Sequence, residues 1–280
     1  MASEDYDSLD VRIADGVARV TIDHPPINLF DMALMQEVDR VGRELAEDDT
    51  VRVVVFDSAD DEFFIAHADV ELIRTLPDDV PEKPTELSFF HAMVDRFRTM
   101  PKVTIGEIAG RCRGGGSEFA LSLDMRFAAL DRAVFAQPEV ALGILPGGSG
   151  TQRLPRLVGR ARALEIILGC EDVSAELAER YGYVNRAMPA AELGPYVDRL
   201  AKRIASFPAT SIALAKQAVL AGEGPVVPGL LEEAHLFNGT LAQPEAKRRM
   251  AAFLEAGGQT REAELDLDRV LAALTGDETE

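Results

Sequence analysis

Apolar residues along the first 60 positions change period repeatedly. Val11–Ala14 and Val17–Ile22 read as short strands flanking Asp15-Gly16, a pair suited to the positive φ angles of a two-residue hairpin turn. From Met32 to Glu47 the apolar residues Met35, Val38, Val41 and Leu45 recur every three or four positions, the spacing of a helix face. Val51–Phe56 is a β-branched run, the mark of a buried strand. The alternation then repeats: Ser88–Arg98 reads as helix, Val103–Ile108 as strand, Ser117–Leu123 as helix and Met125–Leu130 as strand. Such a pattern predicts α/β architecture.

After about Gly150 the periodicity becomes almost wholly helical. Arg162–Leu168, Ala175–Tyr181, Leu193–Ile204, Ser211–Ala221, Leu230–Leu241 and Pro244–Leu254 are predicted helices, with one strand-like break at Tyr183–Ala187. A last helix is predicted over Ala263–Leu274, before an acidic, frayed end. There is no low-complexity linker and no repeat of fixed period. The prediction is an α/β core followed by a helical C-terminal segment.

Composition narrows the function. The chain has 280 residues, 47 % hydrophobic and 28 % charged, the balance of a globular protein with a full core. Its net charge of −19 argues against nucleic acid and anionic membrane as partners. No apolar run nears the roughly 20 residues that span a bilayer, and the acidic start lacks the features of a secretory signal. Cys112 and Cys170 are too few for a disulfide framework and read as reduced, buried thiols of a cytoplasmic protein. The four histidines have no metal-ligand spacing, so no metal is expected. The dinucleotide fingerprint, the nucleotide P-loop and the serine nucleophile elbow are all missing.

Chemistry gathers at two glycine-rich stretches. Gly114-Gly115-Gly116-Ser117-Glu118 follows a predicted strand and opens a predicted helix. Three glycines in a row cost backbone entropy and need a local reason. Either the backbone must approach a ligand, with N–H groups at a helix start facing negative charge, or the turn simply packs tightly. Glu118 is predicted on the first turn, where it complements the helix dipole in either case. Further on, Phe135-Ala136-Gln137-Pro138-Glu139 puts a second carboxylate where Pro138 ends a short strand. Two glutamates near glycine-rich turns can form an acid/base pair or be structural carboxylates.

At this point the residues resemble the enoyl-CoA hydratase/isomerase (crotonase) family. The resemblance is carried by Pro26-Ile27-Asn28-Leu29, Phe64-Ile65-Ala66-His67-Ala68-Asp69-Val70, Gly114–Ala120, Phe135–Glu139 and Gly147–Leu154, in that order, and it runs from about Val11 to about Glu255. It implies a spiral of ββα units over residues 1–205, carrying an acyl-CoA site, and a helical trimerisation region over 206–280. It further implies an acyl-CoA thioester substrate, no cofactor beyond the CoA that belongs to the substrate, and a homotrimer or dimer of trimers. Ala68 and Gly115 match the backbone donors of an oxyanion hole, and Glu118 and Glu139 match the two catalytic glutamates of the hydratases. Ala66, His67, Asp69, Gly114 and Arg113 would lie beside the substrate.

Three departures stand out. His67 occupies a position where the family usually has glycine. Arg111 and Arg113 flank Cys112 where small or apolar residues are usual, and Arg113 could reach the acyl or CoA region or be paired structurally. The Lys-Arg pair that often follows the family's final Ala-Phe-x-Glu is replaced by Ala256-Gly257 after Ala252–Glu255, leaving Lys247, Arg248 and Arg249 as upstream substitutes near the CoA phosphates. The leading expectation is an enoyl-CoA hydratase. A Δ3,Δ2-enoyl-CoA isomerase or other thioester-enolate enzyme, and a non-catalytic acyl-CoA-binding protein, are the alternatives.

Overall fold

The computed structural model describes residues 6–274. Its strands are β1 (Leu9–Ala14), β2 (Val17–Ile22), β3 (Val53–Ser58), β4 (Phe63–Ile65), β5 (Val103–Ile108), β6 (Arg111–Arg113), β7 (Met125–Ala129), β8 (Val134–Ala136), β9 (Val173–Ser174) and β10 (Arg186–Met188). They form two sheets, ordered β1-β2-β3-β5-β7-β10 and β4-β6-β8-β9. The hairpin closes as predicted, with Asp15 at φ 53° and Gly16 at φ 78°. Thereafter the chain spirals. Each turn lays one strand in the first sheet (β3, β5, β7), the next in the second (β4, β6, β8), and then a helix. Like strands of successive turns pair in parallel.

Both faces of the larger sheet are covered, which is why β3 reads as an unbroken apolar run. On one side the helix Ala190–Ala205 sets Leu193, Val197, Ala201 and Ala205 against Val53, Val55, Ile105 and Phe127. On the other, the helix Gly114–Ser122 is buried over its whole length. Its Phe119 ring packs within 5.0–6.5 Å of Phe30, Phe56, Phe64 and Phe97, in edge contacts except against Phe64.

The helices after Ala205 do not build a core of their own. Leu241, Met250, Phe253, Leu267, Val270 and Leu271 pack against Val70, Leu142 and Ile144 of the spiral, so the chain's end roofs the turns of its middle. Among the described residues no single helix is long and apolar enough to cross a membrane.

Three expectations are corrected. The helix expected to start at Ser117 starts at Gly114, its first turn being formed by the glycines themselves; Glu118 therefore sits on the second turn, not the first. β4, β6 and β9 escape prediction, since two or three residues carry no readable period. The predicted helix Ala263–Leu274 is two helices, Arg261–Leu265 and Leu267–Ala273, interrupted where Asp266 adopts φ −136° and ψ 60°. The acidic end beyond residue 274 lies outside the described residues.

Candidate active site

The three glycines each have a separate steric cause. Gly114 has φ +47°, and a Cβ there would meet Glu139 Oε1 at 3.0 Å and His67 Cβ at 3.2 Å. At Gly115 it would meet Ala68 Cβ at 2.9 Å and Ala68 N at 3.2 Å. At Gly116 it would strike the Ile65 carbonyl oxygen at 2.4 Å. The run thus lets the helix start press flat against the loop between β4 and the next helix, Val70–Arg74. Gly115 lies in the first turn, where N–H groups have no partner inside the helix. Among the described residues neither the Ala68 N–H nor the Gly115 N–H finds an acceptor.

The predicted quartet shares one cavity. Ala68, Gly115, Glu118 and Glu139 all line a space of about 430 Å³. Its walls are mainly apolar, including Met35, Leu72, Ile73, Phe90, Ile144 and Leu145. His67 and Gly114 lie at a narrow apolar annexe beside it, closed by Phe253, Leu267 and Leu271. A separate cavity of about 460 Å³, against the helix Ala209–Gly222, contains none of these residues.

The carboxylates are held differently. Glu118 Oε1 accepts the Gly148 and Gly150 N–H groups at 2.7 and 2.8 Å. Glycine is needed at both positions, since a Cβ would lie 2.5 Å from Glu118 Oε2 or 2.9 Å from Oε1. Glu139 sits at the start of a 3-10 turn, Glu139–Leu142, where Pro138 ends the strand as predicted, and its Oε2 has no partner among the described residues. Burial raises the Glu118 pKa well above the ordinary range, helped by Glu139 and Glu233 and opposed by the two N–H donors. Burial likewise pushes Glu139 up to about 8, with its own backbone and His67 pulling down. The Glu139 charge thus disfavours ionisation of Glu118.

Sequence reasoning missed a third buried glutamate. Glu233, on the helix Val227–Leu241, accepts the N–H groups of Ser149 (2.6 Å) and Thr151 (2.9 Å) and pairs with His91 at 3.0 Å. It holds Ser149 at φ 102°, a left-handed angle, and so fixes the turn that presents Gly148 and Gly150 to Glu118. Asn28, from the motif Pro26-Ile27-Asn28-Leu29, also shapes the site. At φ 50° it donates to the Phe63 and Phe64 carbonyls, both at 3.1 Å, and so ties down β4 before the Ala68 loop.

Other expected residues have structural partners. Arg113 is 1 % exposed and does not line the cavity; it grips Asp172 with Nε (2.7 Å) and Nη2 (2.5 Å), and Nη1 donates to the Glu264 carbonyl at 2.9 Å. The structural alternative for Arg113 is the one observed, because strand β6 aims it at the C-terminal helices. Arg111 likewise donates to the Leu265 carbonyl at 3.2 Å. Ala66 is fully buried, its carbonyl accepting the Arg113 N–H. Asp69 caps the helix Val70–Arg74. Neither Ala66 nor Asp69 lines the cavity. Arg248 and Arg249 pair with Glu245, whereas Lys247 donates to the carbonyl of the cavity-lining Leu76 at 3.1 Å.

Comparison with known proteins agrees with this architecture. A model of the enoyl-CoA hydratase/isomerase family matches residues 12–261. A probable enoyl-CoA hydratase of Mycobacterium tuberculosis is 34 % identical, the match covering 89 % of this chain and 96 % of that protein. The short-chain-enoyl-CoA hydratase of Clostridium acetobutylicum is 33 % identical over 85 % of this chain and 91 % of its own. Among solved structures, a putative enoyl-CoA hydratase from Streptomyces avermitilis superposes with a TM-score of 0.90 at 40 % identity, covering 97 % of this chain and all of the other. The chain belongs to the enoyl-CoA hydratase/isomerase family, and its spiral is the crotonase fold.

Proposed function

We propose that the protein is an enoyl-CoA hydratase, adding water reversibly across the double bond of a 2-enoyl-CoA. The observation that supports this reading is one mainly apolar cavity lined by Ala68, Gly115, Glu118 and Glu139 together. The thioester oxygen would accept the Ala68 and Gly115 N–H groups. Attack of water at the β-carbon builds negative charge on that oxygen, and losing one preorganised donor costs roughly 3–4 kcal/mol of transition-state stabilisation.

The two glutamates then divide the proton work. Burial raises both carboxyls, but Glu118 alone has two backbone donors on Oε1 that favour its ionised form, so its Oε2 is assigned the proton of the attacking water. Glu139, pushed up to about 8, keeps its proton at neutral pH and delivers it to the α-carbon. The family reading also supplies the trimer or dimer of trimers. Exposed apolar side chains such as Leu168, Leu214 and Val219 suit burial between subunits. The buried free thiols suit a cytoplasmic location.

The test is hydration of crotonyl-CoA, followed by loss of its conjugated absorbance. Wild type should consume the band, and Glu118→Gln or Glu139→Gln should each lose roughly 10²–10⁴ in kcat. An inert wild type sinks the hydratase reading, and turnover of a 3-enoyl-CoA alone would put an isomerase in its place. Native mass checks the assembly.

A further inference from the structure

The loop that carries Ala68 is held from two directions. On the spiral side, Phe30 N–H donates to the His67 carbonyl at 2.9 Å, and Asp69 N–H to the Phe30 carbonyl at 3.2 Å. A trans peptide sends its C=O and N–H opposite ways. Gripping the His67 oxygen therefore turns the Ala68 N–H away from Phe30. That fixes one of the two peptide planes that meet at Ala68.

The second plane, held on the spiral side by the Asp69 N–H, is held also from the far end of the chain. His67 Nδ1 lies 2.8 Å from the Ala68 carbonyl, and His67 Nε2 lies 2.9 Å from Glu264 Oε1. A carbonyl accepts only, so Nδ1 carries hydrogen; where Glu264 is ionised it too can only accept, Nε2 also carries hydrogen, and the ring is an imidazolium. The same Glu264 oxygen accepts the Gln259 N–H at 2.9 Å. Gln259, held at φ 69°, accepts the Val70 N–H at 2.5 Å and donates to Asp69 Oδ1 at 3.0 Å. Arg113 locks the Glu264 backbone. The charged groups around the ring are thus Glu264 from the C-terminal helix, Arg113 from β6 and Glu139 from the 3-10 turn, with the Phe253 ring 5.9 Å away.

A buried ion pair is a poor device for stability alone, because desolvation roughly cancels its attraction. What it adds is direction. We infer that Glu264 and His67 are positioning residues, a buried clamp from the C-terminal segment that aims the Ala68 N–H at the substrate carbonyl. The inference rests on the oxyanion-hole role given to that N–H above. Burial pulls the His67 pKa down, but the charge and hydrogen bond of Glu264 overcome it, so the net direction is up. The Glu264 pKa moves down against its own burial, as an ion pair requires. The clamp is therefore present between the lowered Glu264 pKa and the raised His67 pKa, and is released as pH rises through the latter.

The experiment pairs kinetics with a probe that needs no turnover. Butanoyl-CoA labelled with ¹³C at its carbonyl is saturated and is not hydrated; its infrared stretch falls in frequency when N–H donors polarise the carbonyl. Glu264→Ala should lose about 10–100-fold in kcat, the scale of a small misplacement of a catalytic group, with KM changing much less, and should lose part of the infrared shift. Glu264→Gln keeps an acceptor but no charge. It should recover much of the loss at about pH 6 and lose the infrared shift at lower pH than wild type, because His67 gives up its proton earlier. Glu264→Ala or Glu264→Gln with wild-type infrared shift and kcat, however much less stable, overturns the inference. A wild type that binds butanoyl-CoA with the full shift yet hydrates nothing overturns the hydratase reading and leaves the clamp standing.

Discussion

The residues that line the cavity are placed by backbone on the spiral side and braced from behind by buried side chains of the C-terminal segment. The spiral contributes Ala68, Gly115 and the Gly148 and Gly150 amides, set by parallel strands and by glycines whose missing Cβ atoms let chains touch. The C-terminal segment contributes Glu233, Gln259 and Glu264, whose buried or half-buried side chains make hydrogen bonds to Ser149, Asp69 and His67 of the spiral. The first kind of construction is rigid and intolerant of any added atom. The second can be dismantled one group at a time, so it is where the cost of each part can be measured.

The sharpest break is expected at Glu233. Its side chain is fully buried with His91 and bonds Ser149 and Thr151. Glu233→Ala leaves those partners unpaired and should cost about 3–5 kcal/mol of stability, read by urea denaturation. Because Glu233 also raises the pKa values of Glu118 and Glu139, the alkaline limb of activity should move to lower pH in any folded variant. A loss below about 1 kcal/mol would mean that the side-chain half is not built as described.

On the backbone half, Gly115→Ala puts a methyl 2.9 Å from the Ala68 Cβ. The two amides must separate, and kcat should fall by roughly 10²–10³, the worth of one donor. Stability should change less, since the clash is relieved by moving a loop. An unchanged kcat would show that the two N–H groups do not act together.

These two halves were not equally legible in the sequence. Gly114–Glu118 and Phe135–Glu139 could be read because each packs its chemistry into five consecutive residues, and their order along the chain matched a family. Glu264 and Glu233 could not. Glu264 meets His67 across 197 positions, and Glu233 meets Ser149 across 84. Nothing in helical periodicity separates a buried glutamate from the exposed ones of the same helix. Arg113 and His67 are unusual in the sequence, but their partners, Asp172 and Glu264, lie far along the chain, so no local pattern reveals their roles. The large elements were legible for the opposite reason: the helix Met32–Glu47 and the strand Val103–Ile108 each carry a full period within themselves.

Glu139 sharpens the comparison in the other direction, because a buried carboxyl without a partner on Oε2 is expected to cost stability. Its folded pKa, about 8, lies above the ordinary 4.5. The folded state then holds a proton that the unfolded state has released, so stability falls as pH rises from about 4.5 to about 8. Glu139→Gln removes that liability. The variant should be more stable than wild type at about pH 8, on the order of a few kcal/mol, while the difference vanishes near pH 4. Thermal melts across that window check it, and a variant less stable than wild type at the alkaline end would mean that the carboxyl is not proton-holding.

The smallest effect is expected where neither kind of construction is present. Arg180 and Glu176 form an i,i+4 pair on the helix Ala175–Tyr181, 3.0 Å apart, with side chains 66 % and 69 % exposed. Water screens both ions, and holding two long side chains in one geometry costs rotamer freedom. Arg180→Ala also replaces arginine by the best helix former. The losses and gains nearly cancel, so the net change should stay within about 0.5 kcal/mol and shrink further in salt. The distance of this pair matches that of the Glu233–His91 contact, 3.0 Å in both. If the exposed pair proved as costly to break as the buried one, then separation alone would set the energy, and burial would not be what distinguishes the two sides of this site.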